Sequence, residues 1–420
     1  MARSPLILAA LAKAAKADLS LARAVTLTAE SNGFYDAALV TDTSGENVVV
    51  RMPTQAKALA RLQTELQALK ALRPVADRLP FDLPRFLGAT KDIQGVPAVV
   101  LSYVYGVPSE LGNRSGTDAL AVSIGQAIAA LHSLPTAIVE QAGLPVYSVS
   151  DVVKNKVNLL DRGAATGLIP SFLLNRWEAA LEDVNLFRFT PTVIHADLVP
   201  DTVLTENDVV SGIISWEHFQ IGDPAEDLAW ISLFAGPDFS YSAFQSYNAA
   251  RTSDTNLAQR AEIYSEMAWV RWLLLALADN DQSSVEMYRE NLERISTQLE
   301  EAESFELEPT PLAADFALDQ GNRMTNDDFV LDTSREVAFD AYPNSDAGLP
   351  MPSFDTPERG SFLDGVDLGA IADESAPTRP MPIISESTAE TAAQVAAQET
   401  GEGAGEATSE IQSREKDELF

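Results

Sequence analysis

Apolar and polar positions recur along this chain with two different periods, and the change of period divides it. Over residues 55–72, Leu59, Leu62, Leu66 and Leu69 return every three or four positions, which predicts an amphipathic helix. Ahead of it, residues 30–40 and 47–52 read as strands joined by the turn Thr43-Ser44-Gly45-Glu46. Two further strands, near 86–88 and over 98–104, flank Asp92-Ile93-Gln94-Gly95. Beyond Gly106-Val107-Pro108 the period becomes helical, over 120–134, 152–161 and 170–187. A short β segment over 192–214 then gives way to helices over 227–303. Strands and one helix ahead of a helical region predict an α+β fold, and no internal repeat is visible.

The most apolar run, around Trp269 to Ala278, is about half a bilayer span and contains Arg271, so no transmembrane helix is expected. Leu6 to Leu11 is apolar, but Lys13 and Lys16 follow without a small-residue cleavage site, which suits a surface helix better than a signal peptide. Lys416-Asp417-Glu418-Leu419 would read as a retention signal, yet Phe420 follows it. A cytoplasmic protein is expected.

The 420 residues carry 29 Lys and Arg against 62 Asp and Glu, a formal charge of −33. Such a surface repels phosphate backbones and anionic headgroups, so neither nucleic acid nor membrane is an expected partner. The absence of cysteine excludes disulfides, thiolate metal sites and cysteine nucleophiles, and three histidines leave little room for a site built on imidazoles. The charge is uneven. Residues 301–420 hold 27 acidic and 6 basic side chains, whereas all five tryptophans lie before residue 300. Rich in Pro, Ser, Thr, Glu and Ala, residues 304–420 cannot bury enough apolar area to offset chain entropy, and a disordered acidic tail is expected. Its clusters Phe329-Val330-Leu331 and Phe362-Leu363 make it a candidate arm for a protein partner.

The chemistry concentrates in the β segment. His195-Ala196-Asp197-Leu198-Val199-Pro200-Asp201-Thr202 precedes Ile214-Ser215-Trp216-Glu217 and then Gly222-Asp223-Pro224-Ala225-Glu226-Asp227-Leu228-Ala229. Leu131-His132-Ser133-Leu134-Pro135 stands upstream. In this order the segments resemble the aminoglycoside phosphotransferase (choline kinase-like) family, and specifically a degenerate, actinobacterial-type member. The resemblance spans about residues 20–300 and leaves the tail unexplained. It implies a protein-kinase-like two-lobe fold: an N-terminal helix and small lobe over 1–101, a hinge over 102–106 and a helical large lobe over 107–303.

The resemblance also implies roles. Asp197 takes the position of the base that accepts or orients the acceptor hydroxyl, and His195 braces its loop. Arg51 stands where the family has a phosphate-pairing Lys, with Glu65 as its helix partner. Ser31 and Asn32 occupy the nucleotide-loop tip, and Ser102, Tyr103 and Val104 supply hinge contacts to adenine. Asp223 caps the helix that opens near Pro224, Asp227 ties that helix to the catalytic loop, and His132 closes a helix. His218 is expected in an exposed loop. The two metal-holding positions, Asn and Asp in the family, map onto Thr202 and Ser215. A hydroxyl carries no charge to offset a divalent ion, and neighbouring Asp201 and Glu217 are poor substitutes. Two readings follow. One is an ATP- and Mg²⁺-dependent O-phosphotransferase of a small hydroxyl-bearing molecule. The other is a pseudokinase serving as a binding or regulatory module.

Overall fold

In the computed structural model, residues 3–27, 34–112, 114 and 119–307 are described, with side chains through residue 302. Helix α1 (Pro5–Ala15) starts where Ser4 accepts the Ile7 N–H and Pro5 pre-sets the first turn. Strands β1 (Leu21–Thr26), β2 (Tyr35–Asp42) and β3 (Asn47–Pro53) lead to helix α2 (Ala56–Leu72), and β4 (Phe86–Lys91) and β5 (Pro97–Ser102) follow. The five strands form one antiparallel sheet in the order β1-β2-β3-β5-β4.

Side-chain alternation gives this sheet two apolar faces. Val40, Val48, Val50, Met52 and Val100 pack with Leu8, Ala9 and Ala12 of α1, while Tyr35, Val99 and Leu101 join Leu62, Leu69 and Leu72 of α2. The surface helix expected near residue 6 is therefore docked on the sheet, and Arg3 fastens it through Asp36 (3.0 Å) and Asp92 (2.9 Å). Strand β1, absent from the expected pattern, is a mostly exposed edge whose side chains do not alternate in burial. The expected strand over 98–104 stops at Ser102. From there the chain leaves the sheet through Gly106, at φ +139°, where a Cβ would overlap the Ser211 side chain.

The remaining chain runs β6 (Val107–Pro108), α3 (Ala119–His132), α4 (Ala137–Ala142), α5 (Val149–Ala164), α6 (Ser171–Glu182), β7 (Thr192–Ile194), β8 (Val203–Glu206), β9 (Val209–Ile213), β10 (Gln220–Gly222), α7 (Glu226–Phe234), α8 (Pro237–Ala250), α9 (Leu257–Asp279) and α10 (Gln282–Leu307). The helices expected over 227–303 are four, separated at Gly236-Pro237, over 251–256 and at Asn280, which ends α9 in the left-handed conformation at φ +58°. Small sheets β7–β10 and β6–β8–β9 carry the loops that matter below. Among the described residues no helix is long and apolar enough to cross a membrane. Beyond Leu307 the expected acidic tail lies outside the described residues, as do Ser31 and Asn32.

Candidate active site

The loop that follows β7 carries His195 and Asp197, and the first turn of α7 holds it. Asp227, fully buried, accepts the His195 and Ala196 backbone N–H groups at 2.7 Å each. It also accepts from His132 Nε2 at 3.1 Å, which leaves His132 Nδ1 to receive the Tyr247 hydroxyl at 2.9 Å. Burial lowers the proton affinity of His132 despite the Asp227 charge, so the ring serves as a neutral link between α3, α7 and α8. His195 has a similar bracing geometry. The Asp197 N–H donates to its Nδ1 (3.3 Å), its Nε2 donates to the Ile214 carbonyl (3.0 Å), and its ring meets Trp216 edge-on at 4.7 Å.

Between these two residues Ala196 sits at φ +66°, a left-handed conformation that costs a Cβ-bearing residue about 1–2 kcal/mol. Ala196→Gly is expected to raise stability by about 1 kcal/mol, after the extra chain entropy of glycine is subtracted. The check is the urea unfolding midpoint at unchanged slope; a variant less stable than wild type would show that the turn carries no strain.

Asp223 anchors the other end of this turn. It accepts the Ala225 N–H (2.9 Å), two N–H groups of the fully buried Arg260 (2.8 and 3.0 Å) and the Tyr264 hydroxyl (2.9 Å). Arg260 also reaches Asp254 (2.8 and 3.0 Å) and the Leu186 carbonyl (2.9 Å). Asp223 does not cap α7 as expected, because the N-cap position falls on Ala225 and carries no side-chain bond; the carboxylate instead closes the turn just ahead of the helix, and the arginine that neutralises it comes from α9, 37 residues away.

Asp197 meets a cation that motif reading missed. Its Oδ1 is paired with Nη2 of Arg271 from α9, 74 residues on, and its Oδ2 lies 4.0 Å from His218 Nε2. Burial alone would raise the Asp197 carboxyl, but Arg271 and His218 outweigh it and hold the group below the ordinary carboxylate range. The only hint in the sequence was a lone arginine inside the most apolar run. His218, expected in an exposed loop, is instead half-buried in a short 3₁₀ turn, Trp216–His218, that packs against α2. The packing of Trp216 with Phe81, His195 and Phe219 draws the turn inward.

On the sheet side, Arg51 Nη1 pairs with Glu65 Oε2 at 2.7 Å and stacks over the Tyr35 ring at 4.2 Å. The side chains are 19% and 2% exposed, so this is no ordinary surface ion pair. Burial pushes the Glu65 carboxyl up to about 7, with Glu217 adding repulsion that Arg51 only partly offsets. A carboxyl raised from 4.5 to about 7 binds more protons in the folded than in the unfolded state, so its contribution is present at low pH and lost as pH rises through 7. Relative to Glu65→Gln, the wild type is expected to lose on the order of 3 kcal/mol of stability between pH 4.5 and 8. Parallel stability profiles for the two proteins would refute this.

Past β5, Ser102 exchanges backbone and side-chain hydrogen bonds with Arg85 (2.8 and 2.9 Å), and the Tyr103 N–H reaches the Asn47 carbonyl (3.3 Å). Val104 is buried against Gly212 of β9, where any Cβ would overlap its side chain.

The two expected metal positions offer hydroxyls already placed for other work. Thr202 is buried, its Oγ1 bonded to the Val199 N–H and carbonyl at 3.0 Å each. Ser215 lies in the left-handed region at φ +67°, ψ +60°. Asp201 is exposed, and among the described residues no three His, Cys, Asp or Glu side chains converge on a common point. One oxygen of Asp197 is already taken by a guanidinium. Thr202 and Ser215 thus offer magnesium no carboxylate of the kind that usually holds it, and the unpartnered carboxylate oxygen of the adjoining turn is Glu217 Oε2.

A small antiparallel sheet with a helix packed on each face, a helical region beyond it and an Asp-bearing loop between short strands define a kinase-like phosphotransferase fold. A sequence profile described as the phosphotransferase enzyme family matches residues 27–268, and the chain belongs to that family. It is 28% identical over 207 residues to viomycin phosphotransferase of Streptomyces vinaceus, covering 46% of this chain and 70% of that one. Among solved structures it is similar to macrolide 2′-phosphotransferase MphH from Brachybacterium faecium, with a TM-score of 0.58 at 22% identity over 69% of this chain and 98% of the other. A GDP complex of aminoglycoside 2′-phosphotransferase-IIIa gives a TM-score of 0.57 at 22% identity, over 70% and 99%.

Proposed function

We propose that this phosphotransferase-family protein binds a nucleoside triphosphate between a small lobe (1–101) and a large lobe (107–303) joined at 102–106, and that it acts as a pseudokinase. The observation that carries this reading is Asp197 paired with Arg271 while Thr202 and Ser215 present only hydroxyls. A base already bonded to a fixed cation is a poor acceptor of a hydroxyl proton, and neither expected metal position, 202 or 215, carries a carboxylate. Ordered Arg51–Glu65 geometry and the braced 195–197 loop support retention of the nucleotide side. The residues assigned to it are Arg51, Glu65, Ser31, Asn32, Ser102, Tyr103 and Val104. The acidic segment 304–420 would then serve as the interaction arm toward a protein partner.

The braced loop and the part-buried Arg51–Glu65 pair also favour a second reading, slow O-phosphoryl transfer from ATP to a small hydroxyl compound, with Asp197 receiving the proton. Relatives named for viomycin, macrolides and aminoglycosides supply the acceptors to try.

Nucleotide titrations separate the two. Mg²⁺ is expected to leave ATP binding by the wild type unchanged, and Ser215→Asp with Thr202→Asn to make binding at least tenfold tighter in Mg²⁺ than in EDTA. Asp tolerates the left-handed backbone at 215, so the variant introduces a carboxylate without added strain. Tight Mg²⁺-dependent binding by the wild type, unchanged in the variant, would defeat the pseudokinase reading; phosphorylation of viomycin, erythromycin or kanamycin by the wild type would establish the second.

A further inference from the structure

Among the described residues, three buried polar atoms in the candidate site have no hydrogen-bond partner: Arg271 Nε, His218 Nε2 and Glu217 Oε2. All belong to side chains around Asp197 or the turn beside it. Arg271 touches the Asp197 carboxylate through one terminal nitrogen rather than through the two-nitrogen fork that satisfies both partners. Its Nε–H therefore remains a charged donor without an acceptor. His218 Nε2, at 4.0 Å from Asp197, is beyond hydrogen-bond length and is likewise unsatisfied. Unbonded buried donors are costly, and two of them beside one carboxylate mark a place where a ligand oxygen would be stabilising.

We propose that Arg271 and His218 form an oxyanion subsite that receives the terminal phosphate of a nucleotide without a divalent cation. The proposal rests on the nucleotide-binding reading above, in which Asp197 faces the transferring end of the triphosphate. In that arrangement the guanidinium does two things. It compensates the Asp197 charge that no metal neutralises, and it offers a fixed donor to a phosphate oxygen, with none of the dehydration that magnesium requires. Burial works to discharge Arg271, yet Asp197 holds it protonated, so the positive charge persists at every accessible pH. Burial also keeps His218 neutral near pH 7, and a neutral ring can present Nε2–H to an oxygen. Glu217 opposes an anion here. Arg51, already paired with Glu65 on the sheet side, offsets that charge only in part, so Arg271 carries most of the attraction.

The test is calorimetric titration of the full chain with ATP and, separately, with pyrophosphate, each in EDTA and in Mg²⁺. Wild type is expected to bind ATP equally in both. Arg271→Gln is expected to weaken binding in EDTA at least tenfold, and Arg271→Lys, which keeps the charge but not the fork, to recover part of it. Arg289→Gln removes the same charge from exposed α10 and is expected to leave binding unchanged. With only three histidines in the chain, the His218 imidazole resonance can be followed directly, and it is expected to move on ATP addition in EDTA. Because Arg271→Gln could loosen α9, its unfolding midpoint is measured alongside, and His218→Gln provides an independent loss that does not touch α9. Binding in EDTA unaffected by either substitution, or a His218 resonance that ATP does not move, would overturn the subsite and leave the nucleotide reading standing. Binding by wild type only in Mg²⁺ would overturn it too. Absence of ATP binding under every condition would remove the nucleotide reading and this subsite with it.

Discussion

Asp227→Ala is expected to destabilise the protein by about 4 kcal/mol and to release the 195–197 loop. The substitution leaves the His195 and Ala196 backbone N–H groups and the His132 ring donor without their acceptor. His195 and His132 are buried and Ala196 is half-buried, so water can replace the lost acceptor at one of the three donors at most. Asp227→Asn should recover only part of the loss, because an amide offers one acceptor oxygen to three donors and turns its own NH₂ toward one of them. The measurement is the urea midpoint with its slope held constant. A second readout is local: the His195 resonance should broaden or shift in the variant, since its ring is fixed by the same loop. An Asn variant as stable as wild type would mean that the charge and second oxygen of Asp227 contribute nothing.

Arg260→Met should cost about 3–5 kcal/mol, the range for breaking a buried ion pair from one side. The side chain is fully buried and gives two hydrogen bonds to Asp223, two to Asp254 and one to the Leu186 carbonyl. Its loss leaves Asp223 with only the Tyr264 hydroxyl and the Ala225 N–H. Combining Arg260→Met with Asp223→Asn removes the stranded charge and should return 2 kcal/mol or more, by the usual magnitude of coupling between residues in direct contact. Strict additivity of the two single losses would show that the residues do not act as a pair. Arg260→Lys is not conservative here, because an ammonium cannot serve both carboxylates and a carbonyl in the fixed plane of a guanidinium.

Both losses concern residues whose roles differ in how far the sequence revealed them. Asp223, Asp227 and His132 could be given their places because the motif segments put each one beside the turn or helix end that it serves. Arg260 could not, since nothing near it in the chain announces a partner 37 residues away. Arg271 is the sharper case. Its position inside an apolar run argued only against a membrane span, and its contact with Asp197 exists because α9 packs against α7 beside the loop. His218 was misplaced for the same reason: a polar residue in a short connection reads as exposed until the aromatic packing of Trp216 draws the turn inward.

The chain by itself determined the order of its elements, because each period is a local property of a few consecutive side chains. Helix α2, strands β2 to β5 and the helical region after Gly106 were all legible in that way. It determined the family through short motifs, and it exposed the hydroxyls at 202 and 215 as departures from them. Edge strand β1 escaped because a strand without a buried face has no alternation to show. Only the tertiary structure decided that α1 covers the second face of the sheet, that Glu65 is buried with Arg51 half-buried beside it, and that Arg271 occupies the Asp197 carboxylate. Those outcomes depend on which charges share a low-dielectric space, and that is set by contacts between residues far apart in the chain, which no local pattern encodes.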